Sequence, residues 1–379
     1  MQNIVGQTPR NGDFFPRDPV VNKLYRRLQA GNNLFLSAPR RAGKTSIMRF
    51  LEDNPREGFL FLYVNVEDVN DGEEYFRLLS EELLKSEAIG RLAKLSEKAK
   101  SSLALFLERF KKIRVFNIEI ETAQAEPPKY SAEFENLLRD LETEGTIICI
   151  MVDEFPVALE KIAAAKGVDE AVHFLHLNRA QRHRAKRGIR FIYTGSIGLP
   201  NVAQRFNATA TINDLNIVEV PPLTMEEGRQ MTARILDTYG IRMEPEVLDY
   251  LLERIEWLMP FFIQLVIQLV IDEAELGGSI SKETIDSQLL KAASHRNNIY
   301  FENYYSRLDK TLPEAESTTA KEILARIALD WAVAPAEFQQ PNAQPVLETL
   351  EFDGYIYLHA GFYRFNSPIL KMWWKRFAA

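Results

Sequence analysis

Residues 34–47 carry the most chemically specific pattern in the chain: an apolar run, a short polar loop, and then Gly43-Lys44-Thr45. A strand, a loop and a helix in this order direct backbone N–H groups into one concavity, which suits phosphate oxygens. Lys44 would reach the β- and γ-phosphates, and the hydroxyl of Thr45 would ligate Mg²⁺. The pattern therefore predicts a phosphate-binding loop, here called the P-loop (residues 38–46).

The P-loop departs from the pattern G-x-x-x-x-G-K-[ST] at its first position, where Ala38 replaces glycine. Alanine avoids positive φ, so we expect an ordinary backbone conformation at the loop entry. Gly43, which would lie against the phosphate, is kept. The residues expected to bind nucleotide in this segment are Pro39, Arg40, Arg41, Ala42, Gly43, Lys44, Thr45 and Ser46.

A second pattern, residues 146–154, is an apolar run that ends in two adjacent carboxylates, Asp153 and Glu154. Such a run is typical of a parallel strand that is buried on both faces. In open α/β sheets ligands bind beyond the carboxyl ends of the strands. We therefore expect Asp153 to hold Mg²⁺, directly or through water, and Glu154 to orient and polarise the attacking water.

A third apolar segment, residues 189–194, ends at Gly195-Ser196. A polar side chain at this position could contact the γ-phosphate or the attacking water. Ser196 and Thr194 are the two candidates, and ordinary turn chemistry is an equally good explanation of both.

These segments belong to an alternation of strands and helices that extends to residue 222 and predicts an α/β domain, residues 1–222. Beyond it strand patterns stop, and residues 223–310 predict a helical lid domain. Its expected helices are Met225–Tyr239, Glu244–Ile255, Met259–Leu276 and Ser281–Lys291.

The last part of the chain, residues 311–379, reads as helix, helix, hairpin, helix. The hairpin is predicted in the alternating run from Tyr355 to Phe365, with Ala360-Gly361 as its turn. The closing helix is predicted from Pro368 to Phe377. This order of elements is typical of a winged helix-turn-helix domain.

With these motifs in place, the chain resembles the archaeal-type P-loop ATPases, which are related to the STAND signalling ATPases and to the AAA+ origin-recognition proteins. The resemblance covers nearly the whole chain, and its most specific element is Pro-Arg-Arg-x-Gly-Lys-Thr-Ser in the P-loop. The segments that carry it are residues 12–17, 38–46, 153–155, 194–196, 213–215 and 222–224.

The resemblance implies a five-stranded parallel sheet in which the strand before Ser196 lies between the P-loop strand and the Asp153 strand. It also implies ATP binding, slow hydrolysis and switch-like behaviour. By position, the segment from Phe14 to Arg17, with Phe15 and Arg17, would approach the adenine, and Ser196 would act as a sensor of the γ-phosphate.

Composition limits the partners. The net charge of −7 argues against a protein that coats nucleic acid. After Pro313 there are six Lys and Arg against eight Asp and Glu, and the expected recognition helix, residues 345–352, contains no basic residue. A DNA reader usually carries such residues there, so a protein partner or self-assembly is favoured over DNA.

The cation-rich segment from Arg179 to Arg190 permits three interpretations: a solvated helix end, an arginine finger for a neighbouring copy, or a nucleic-acid patch. Arg179 and Arg182, with Arg205 further along, are the finger candidates. Three functions stay open: an ATP-dependent switch that engages a protein partner, a DNA-engaging ATPase, and a non-hydrolysing scaffold stabilised by ATP or ADP.

The longest apolar stretch, Trp257 to Ile271, is shorter than the roughly 20 residues that a membrane span requires. The single cysteine, Cys149, lies in an apolar strand, which predicts a buried thiol in a reducing compartment. With no signal-peptide pattern at the N-terminus, we expect a cytoplasmic protein without membrane contact.

Overall fold

Five parallel strands form one sheet in the computed structural model, which describes residues 1–85, 90, 97–119, 129–141, 143, 145–185, 187–330 and 333–379 (side chains of 99 and 113–119 excepted). The spatial order is β2-β3-β4-β1-β5. The predicted position of the strand before Ser196, between the other two, is thereby confirmed. The strands are β1 (Asn33–Ser37), β2 (Phe59–Asn65), β3 (Ile147–Asp153), β4 (Ile189–Thr194) and β5 (Leu215–Glu219).

The chain divides into two compact units. The first, here called the sheet unit, comprises Arg17–Ser37 and Ile47–Glu219. The second, here called the helical unit, comprises Met1–Pro16, Ala38–Ser46 and Val220–Ala379. The P-loop therefore groups with the second half of the chain, although it is continuous in sequence with β1.

Helices accompany the strands of the sheet. The helix that follows Glu154 was not predicted; its proline in the first turn is compatible with a helix start. The sequence also predicts a loop at residues 123–130; this segment lies mostly outside the described residues. The helices as far as residue 205 are α1 (Asp18–Gln29), α2 (Lys44–Asp53), α3 (Gly72–Lys85), α4 (Glu97–Glu119), α5 (Tyr130–Asp140), α6 (Phe155–Lys166), α7 (Val168–Arg184) and α8 (Leu199–Arg205).

An aromatic cluster forms the part of the sheet unit's core that lies beside the ends of β3 and β4. The Phe155 and Tyr193 ring centroids are 4.6 Å apart, and those of Tyr75 and Phe174 are 4.8 Å apart. All four side chains are buried. Because Phe155 directly follows Glu154 and Tyr193 lies three residues before Ser196, this packing holds both strand ends in place.

Helices fill most of the helical unit. The four helices predicted between residues 225 and 291 are found with their ends within one residue, and one further helix, α13, follows them. Thr224 and Glu227 form a capping box at the start of the first. These helices are α9 (Met225–Thr238), α10 (Pro245–Ile255), α11 (Pro260–Glu275), α12 (Lys282–Ala292) and α13 (Asn298–Thr311).

The C-terminal elements occur in the predicted order of helix, helix, hairpin and helix. Trp373 and Trp374 on the last helix are buried, and the indole N–H of Trp373 donates to Asn298 Oδ1 at 2.7 Å. Among the helices that the structure describes, none has the length and apolarity of a membrane span. The elements are α14 (Glu314–Leu329), α15 (Ala343–Phe352), β6 (Ile356–His359), β7 (Phe362–Phe365) and α16 (Pro368–Phe377).

Candidate functional site

The carboxyl ends of three adjacent strands carry the predicted site. Because β3, β4 and β1 are parallel neighbours, their last residues, Asp153, Thr194 and Ser37, lie along one edge of the sheet. The P-loop follows Ser37 directly in the chain. This edge is where open α/β sheets bind their ligands.

Asp153 is held by hydrogen bonds to both of its oxygens. Its side chain is buried; Oδ2 accepts from the Tyr63 hydroxyl at 2.8 Å, and Oδ1 accepts from the backbone N–H of Glu154 at 3.0 Å. The orientation of Asp153 is thus fixed, while its oxygens remain of the kind that Mg²⁺ prefers.

Tyr63 is a site residue that sequence reasoning missed. Burial, and then the neighbouring Asp153 carboxylate, raise the pKa of Tyr63, so the hydroxyl remains a donor. The Arg49 guanidinium lies 3.5 Å from the centroid of its ring. In the sequence, the indication of such a role was a hydroxyl near the end of the apolar run of β2. In the structure β2 pairs with β3, and Asn65 lies opposite Asp153.

Glu154 has a left-handed backbone, with φ 59°, which is uncommon for a residue other than glycine and costs roughly 1–3 kcal/mol. Its Oε2 accepts from both the backbone N–H and the hydroxyl of Ser196, each at 2.8 Å. Of the two candidates near the carboxyl end of β4, Ser196 is therefore the residue beside the Glu154 carboxylate. The Thr194 hydroxyl donates instead to the Leu36 carbonyl on β1, at 2.9 Å.

Gly195 allows this close approach. A Cβ at Gly195 would lie 2.5 Å from Pro156 Cδ and 3.6 Å from Glu154 Oε2. The first distance is far inside van der Waals contact, and the proline ring cannot rotate away. A side chain at position 195 would therefore displace either α6 or the Ser196 segment.

In the P-loop, Lys44 is buried and donates to the carbonyls of Ala38 at 2.7 Å and Pro39 at 3.1 Å. Gly43 has φ 88°, and a Cβ built there would meet nothing within 4 Å. The space over Gly43 is thus open. Ala42 and Ser46 are buried, and Arg40 and Thr45 are half-buried.

Two P-loop residues pack on later parts of the helical unit. The guanidinium carbon of Arg41 lies 4.5 Å from the centroid of the Phe261 ring, and burial lowers the pKa of Arg41. Arg41 also has a left-handed backbone, with φ 70°. A Cβ at Gly354, in the turn before β6, would lie 2.4 Å from Pro39 Cβ. The P-loop backbone is therefore constrained from that side.

The two residues expected near adenine are both buried. The Phe15 ring lies 5.4 Å from the Arg234 guanidinium carbon on α9. Arg17 stands immediately before α1, and its carbonyl accepts from the N–H of Val21 at 2.9 Å.

The candidate arginine fingers have different surroundings. Arg182 is buried and forms a bidentate ion pair with Asp214. Its Nε donates to Oδ2 and its Nη2 donates to Oδ1, each at 2.7 Å. Arg205 pairs with Glu160, whose pKa is raised by burial in spite of this partner. Arg179 is half-buried on α7. Arg182 is thus engaged within the sheet unit, which favours a structural role for it.

Comparison with solved structures places this arrangement in a known fold. A Walker-type ATPase of Pyrococcus abyssi is 17% identical with a TM-score of 0.64, the alignment covering 98% of this chain and 99% of that one. The ORC2 protein of Aeropyrum pernix, in ADPNP and ADP complexes, is 12% identical with a TM-score of 0.55, covering 96% and 94%. No family model and no curated protein matches the sequence. The chain has the fold of the archaeal Walker-type and origin-recognition P-loop ATPases.

Proposed function

We propose that this protein is a Mg²⁺-dependent ATPase of low intrinsic turnover, whose nucleotide state controls self-assembly or the engagement of a protein partner. One observation carries the ATPase part. The Gly-Lys-Thr loop follows β1, the Asp153-Glu154 pair ends β3, and β4 with Ser196 lies between them. This chain order supplies a phosphate cradle and two carboxylates to the same sheet edge.

The residues present suit the nucleotide and the metal. The open space over Gly43 leaves room for phosphate oxygens. Lys44 would exchange its loop carbonyls for phosphate, and Thr45 and Asp153 would hold Mg²⁺, which neutralises phosphate charge when bound. Phe15 and Arg17 would lie toward the adenine. Glu154 would orient water, and Ser196 would hold the Glu154 carboxylate in position.

Slow turnover is supported by the surroundings of the arginines. An arginine finger adds roughly 10³-fold or more to phosphoryl transfer. Arg182 and Arg205 are engaged in ion pairs with Asp214 and Glu160. Arg179 is therefore the candidate that a neighbouring copy would supply, and turnover should rise when copies assemble.

The switch is supported by the P-loop's neighbours in the helical unit. Pro39 packs against the Gly354 turn, and Arg41 packs on Phe261 of α11. A change in the P-loop backbone on nucleotide binding would move Pro39 and Arg41 and would therefore alter both contacts. We accordingly propose that residues 223–310 act as a lid and that residues 311–379, as a winged helix-turn-helix, present the partner surface.

A DNA-engaging ATPase is the alternative. It is less well supported, because α15, the element in the position of a recognition helix, carries Glu348 and Glu351 and no basic residue. Arg182, the middle one of the three arginines in the last part of α7, is buried. Two of the features expected of a DNA reader are thus lacking in these described segments.

The test combines two variants with light scattering. We expect Lys44→Ala to lose ATP binding, and Glu154→Gln to retain binding but lose turnover. Size-exclusion chromatography with light scattering is then run with and without a slowly hydrolysed ATP analogue. It should show a mass that depends on the nucleotide in the wild type and no such dependence in Lys44→Ala.

Each other result has a definite meaning. Normal ATP affinity in Lys44→Ala contradicts the site. Absence of turnover in the wild type, with Glu154→Gln indistinguishable from it, favours a non-hydrolysing scaffold. A mass that changes only when DNA is added favours the DNA-engaging alternative.

A further inference from the structure

A cavity lies within the helical unit, and the residues that line it are far from the P-loop in the sequence. It has a volume of about 530 Å³ and is bordered by the ends of α10 and α14, by α12, by the β6–β7 hairpin and by α16. Small-molecule sites commonly have volumes of roughly 300–1,000 Å³. The cavity is therefore large enough for a ligand of nucleotide size.

Three cations line one side of this cavity: Arg364 on β7, and Lys371 and Lys375 on α16. Lys371 donates to the Asp330 carbonyl at 2.8 Å. Nε of Arg364 is buried and has no hydrogen-bond partner among the described residues. Lys375 is exposed and makes no ion pair within the described part of the chain.

The other charges at the cavity do not balance these three. Arg254 pairs with Asp286 at 2.9 Å, and Asp330 pairs with Arg326 at 2.8 Å. Among the lining residues this leaves Glu256 as the remaining carboxylate. The cavity therefore has an excess of positive charge.

Crowding of the cations is itself unfavourable. Burial lowers the pKa of Lys371 first, and then the charges of Lys375 and Arg364 lower it further. An anion held between the three would reverse this repulsion and would supply the missing acceptor for Arg364. The arrangement suits a phosphate group better than a neutral ligand.

Apart from Arg254, Glu256 and Asp330, the other lining residues are apolar or aromatic. Tyr357, Phe365 and Met372 face the same cavity as the cations. Aromatic faces and a flexible thioether accept a flat ring, and a guanidinium can stack on one. The site therefore combines an anion-binding side with a side for an aromatic group.

We propose that this cavity binds a nucleotide-sized ligand that joins an aromatic base to a phosphate. The proposal goes beyond the ATPase function and is independent of it, because none of the residues that carry it belongs to the P-loop or to the β3 and β4 ends. The ligand would bind through its phosphate to Arg364, Lys371 and Lys375.

The test measures binding by calorimetry in Lys44→Ala protein, so that the P-loop does not contribute. The titrants are AMP, GMP, CMP and UMP, with adenosine and inorganic phosphate as the separate halves of the ligand. We expect one site for at least one nucleotide, with each half binding at least tenfold more weakly. If circular dichroism shows Lys44→Ala to be unfolded, Lys44→Met protein is used instead.

Two adjacent residues of α16 give a matched pair of variants. Lys375 lines the cavity, whereas Arg376, equally exposed on the same helix, does not. We expect Lys375→Glu and Arg364→Gln to weaken nucleotide binding at least tenfold, and Arg376→Glu to change it less than twofold.

The outcomes that overturn the proposal are equally definite. They are no binding of any of the four nucleotides, equal effects of Lys375→Glu and Arg376→Glu, or inorganic phosphate binding as tightly as the nucleotides. A 20-nucleotide single-stranded DNA that binds more tightly than every mononucleotide and is lost in Lys375→Glu would assign the surface to nucleic acid instead.

Discussion

Ser196 donates two hydrogen bonds, from its backbone N–H and its hydroxyl, to the same oxygen of Glu154, each at 2.8 Å. Glu154 lies at the end of β3 and Ser196 just beyond the end of β4, so two neighbouring strands determine the orientation of one carboxylate. A hydrogen bond to a charged group contributes roughly 1.5–3 kcal/mol. The pair therefore couples the position of the proposed water-orienting group to the β4 strand end.

Removing the Ser196 hydroxyl should lower turnover. In Ser196→Ala one of the two hydrogen bonds is lost and the Glu154 carboxylate can rotate, so we expect kcat for ATP hydrolysis to fall roughly tenfold, with KM changed little. Steady-state phosphate release measures this. Ser196→Thr keeps a hydroxyl and should retain most of the activity; equal loss in both variants would mean that steric fit, and not the hydrogen bond, matters.

Gly195→Ala should destabilise the protein and lower its activity. The new Cβ would lie 2.5 Å from Pro156 Cδ, and overpacking of this kind costs roughly 1–3 kcal/mol. Thermal unfolding measures the loss. Because Pro156→Ala removes the opposing ring atoms, the double variant should recover part of the stability. A double variant no more stable than Gly195→Ala would show that the clash lies elsewhere.

Tyr63→Phe should weaken the affinity for Mg²⁺. The hydroxyl donates to Asp153 Oδ2 at 2.8 Å and helps to fix that carboxylate. Loss of a group that orients a metal ligand typically costs roughly 10–100-fold in metal affinity or activity. We expect the Mg²⁺ concentration for half-maximal hydrolysis to rise about tenfold, with ATP affinity in the absence of Mg²⁺ unchanged. A fall in that metal-free affinity would indicate a general disturbance of the sheet edge.

Gly354→Ala should weaken nucleotide binding through Pro39. Both Gly354 and Gly361 have positive φ, 79° and 83°, so alanine strains the backbone at either position. At Gly354 alone of the two, the new Cβ would meet Pro39, at 2.4 Å; at Gly361 nothing lies within 4 Å. We expect a loss of roughly 1 kcal/mol from backbone strain in both variants, a further loss of stability in Gly354→Ala from the clash with Pro39, and a lower ATP affinity only for Gly354→Ala. Urea unfolding and calorimetry separate the two effects.

The Arg182–Asp214 pair should contribute to stability in a pH-dependent way. Burial acts to raise the pKa of Asp214, but the hydrogen bonds and charge of Arg182 outweigh it and hold that pKa below its ordinary value. Its stabilisation is therefore present above about pH 4, the ordinary aspartate pKa, and is lost as the pH falls through the lower folded value.

Breaking that pair tests the structural role of Arg182. Asp214→Asn leaves the buried guanidinium without its counter-charge, which should cost about 3 kcal/mol in free energy of unfolding near neutral pH. Urea unfolding between pH 3 and 7 should show this difference shrinking at the acid end. A pH-independent difference would mean that packing around Arg182, and not the charge pair, is responsible.

The strand before the P-loop, the strand before Asp153 and the last helix were predictable because each is a local pattern. Residues 34–36 and 147–152 are continuous apolar runs, and Pro368 to Phe377 starts at a proline. Local backbone preference and burial act over a few residues, so they are legible without knowledge of the fold. The motif residues Lys44, Asp153 and Glu154 were predicted as site residues from the same kind of local pattern.

Contacts between residues distant in the chain could not be found that way. Tyr63 donates a hydrogen bond to Asp153, 90 positions away in the chain. The Thr194 hydroxyl donates to β1, whereas the Ser196 hydroxyl donates to Glu154. Arg182 is buried and pairs with Asp214, although the sequence had left open a solvated helix end, an arginine finger and a nucleic-acid contact. These choices depend on strand order and on what the packing removes from water, because hydrogen-bond partners and ion pairs are selected by proximity in space. A hydroxyl or a guanidinium has the same chemical properties in every sequence. Its role depends on the neighbours that folding brings to it.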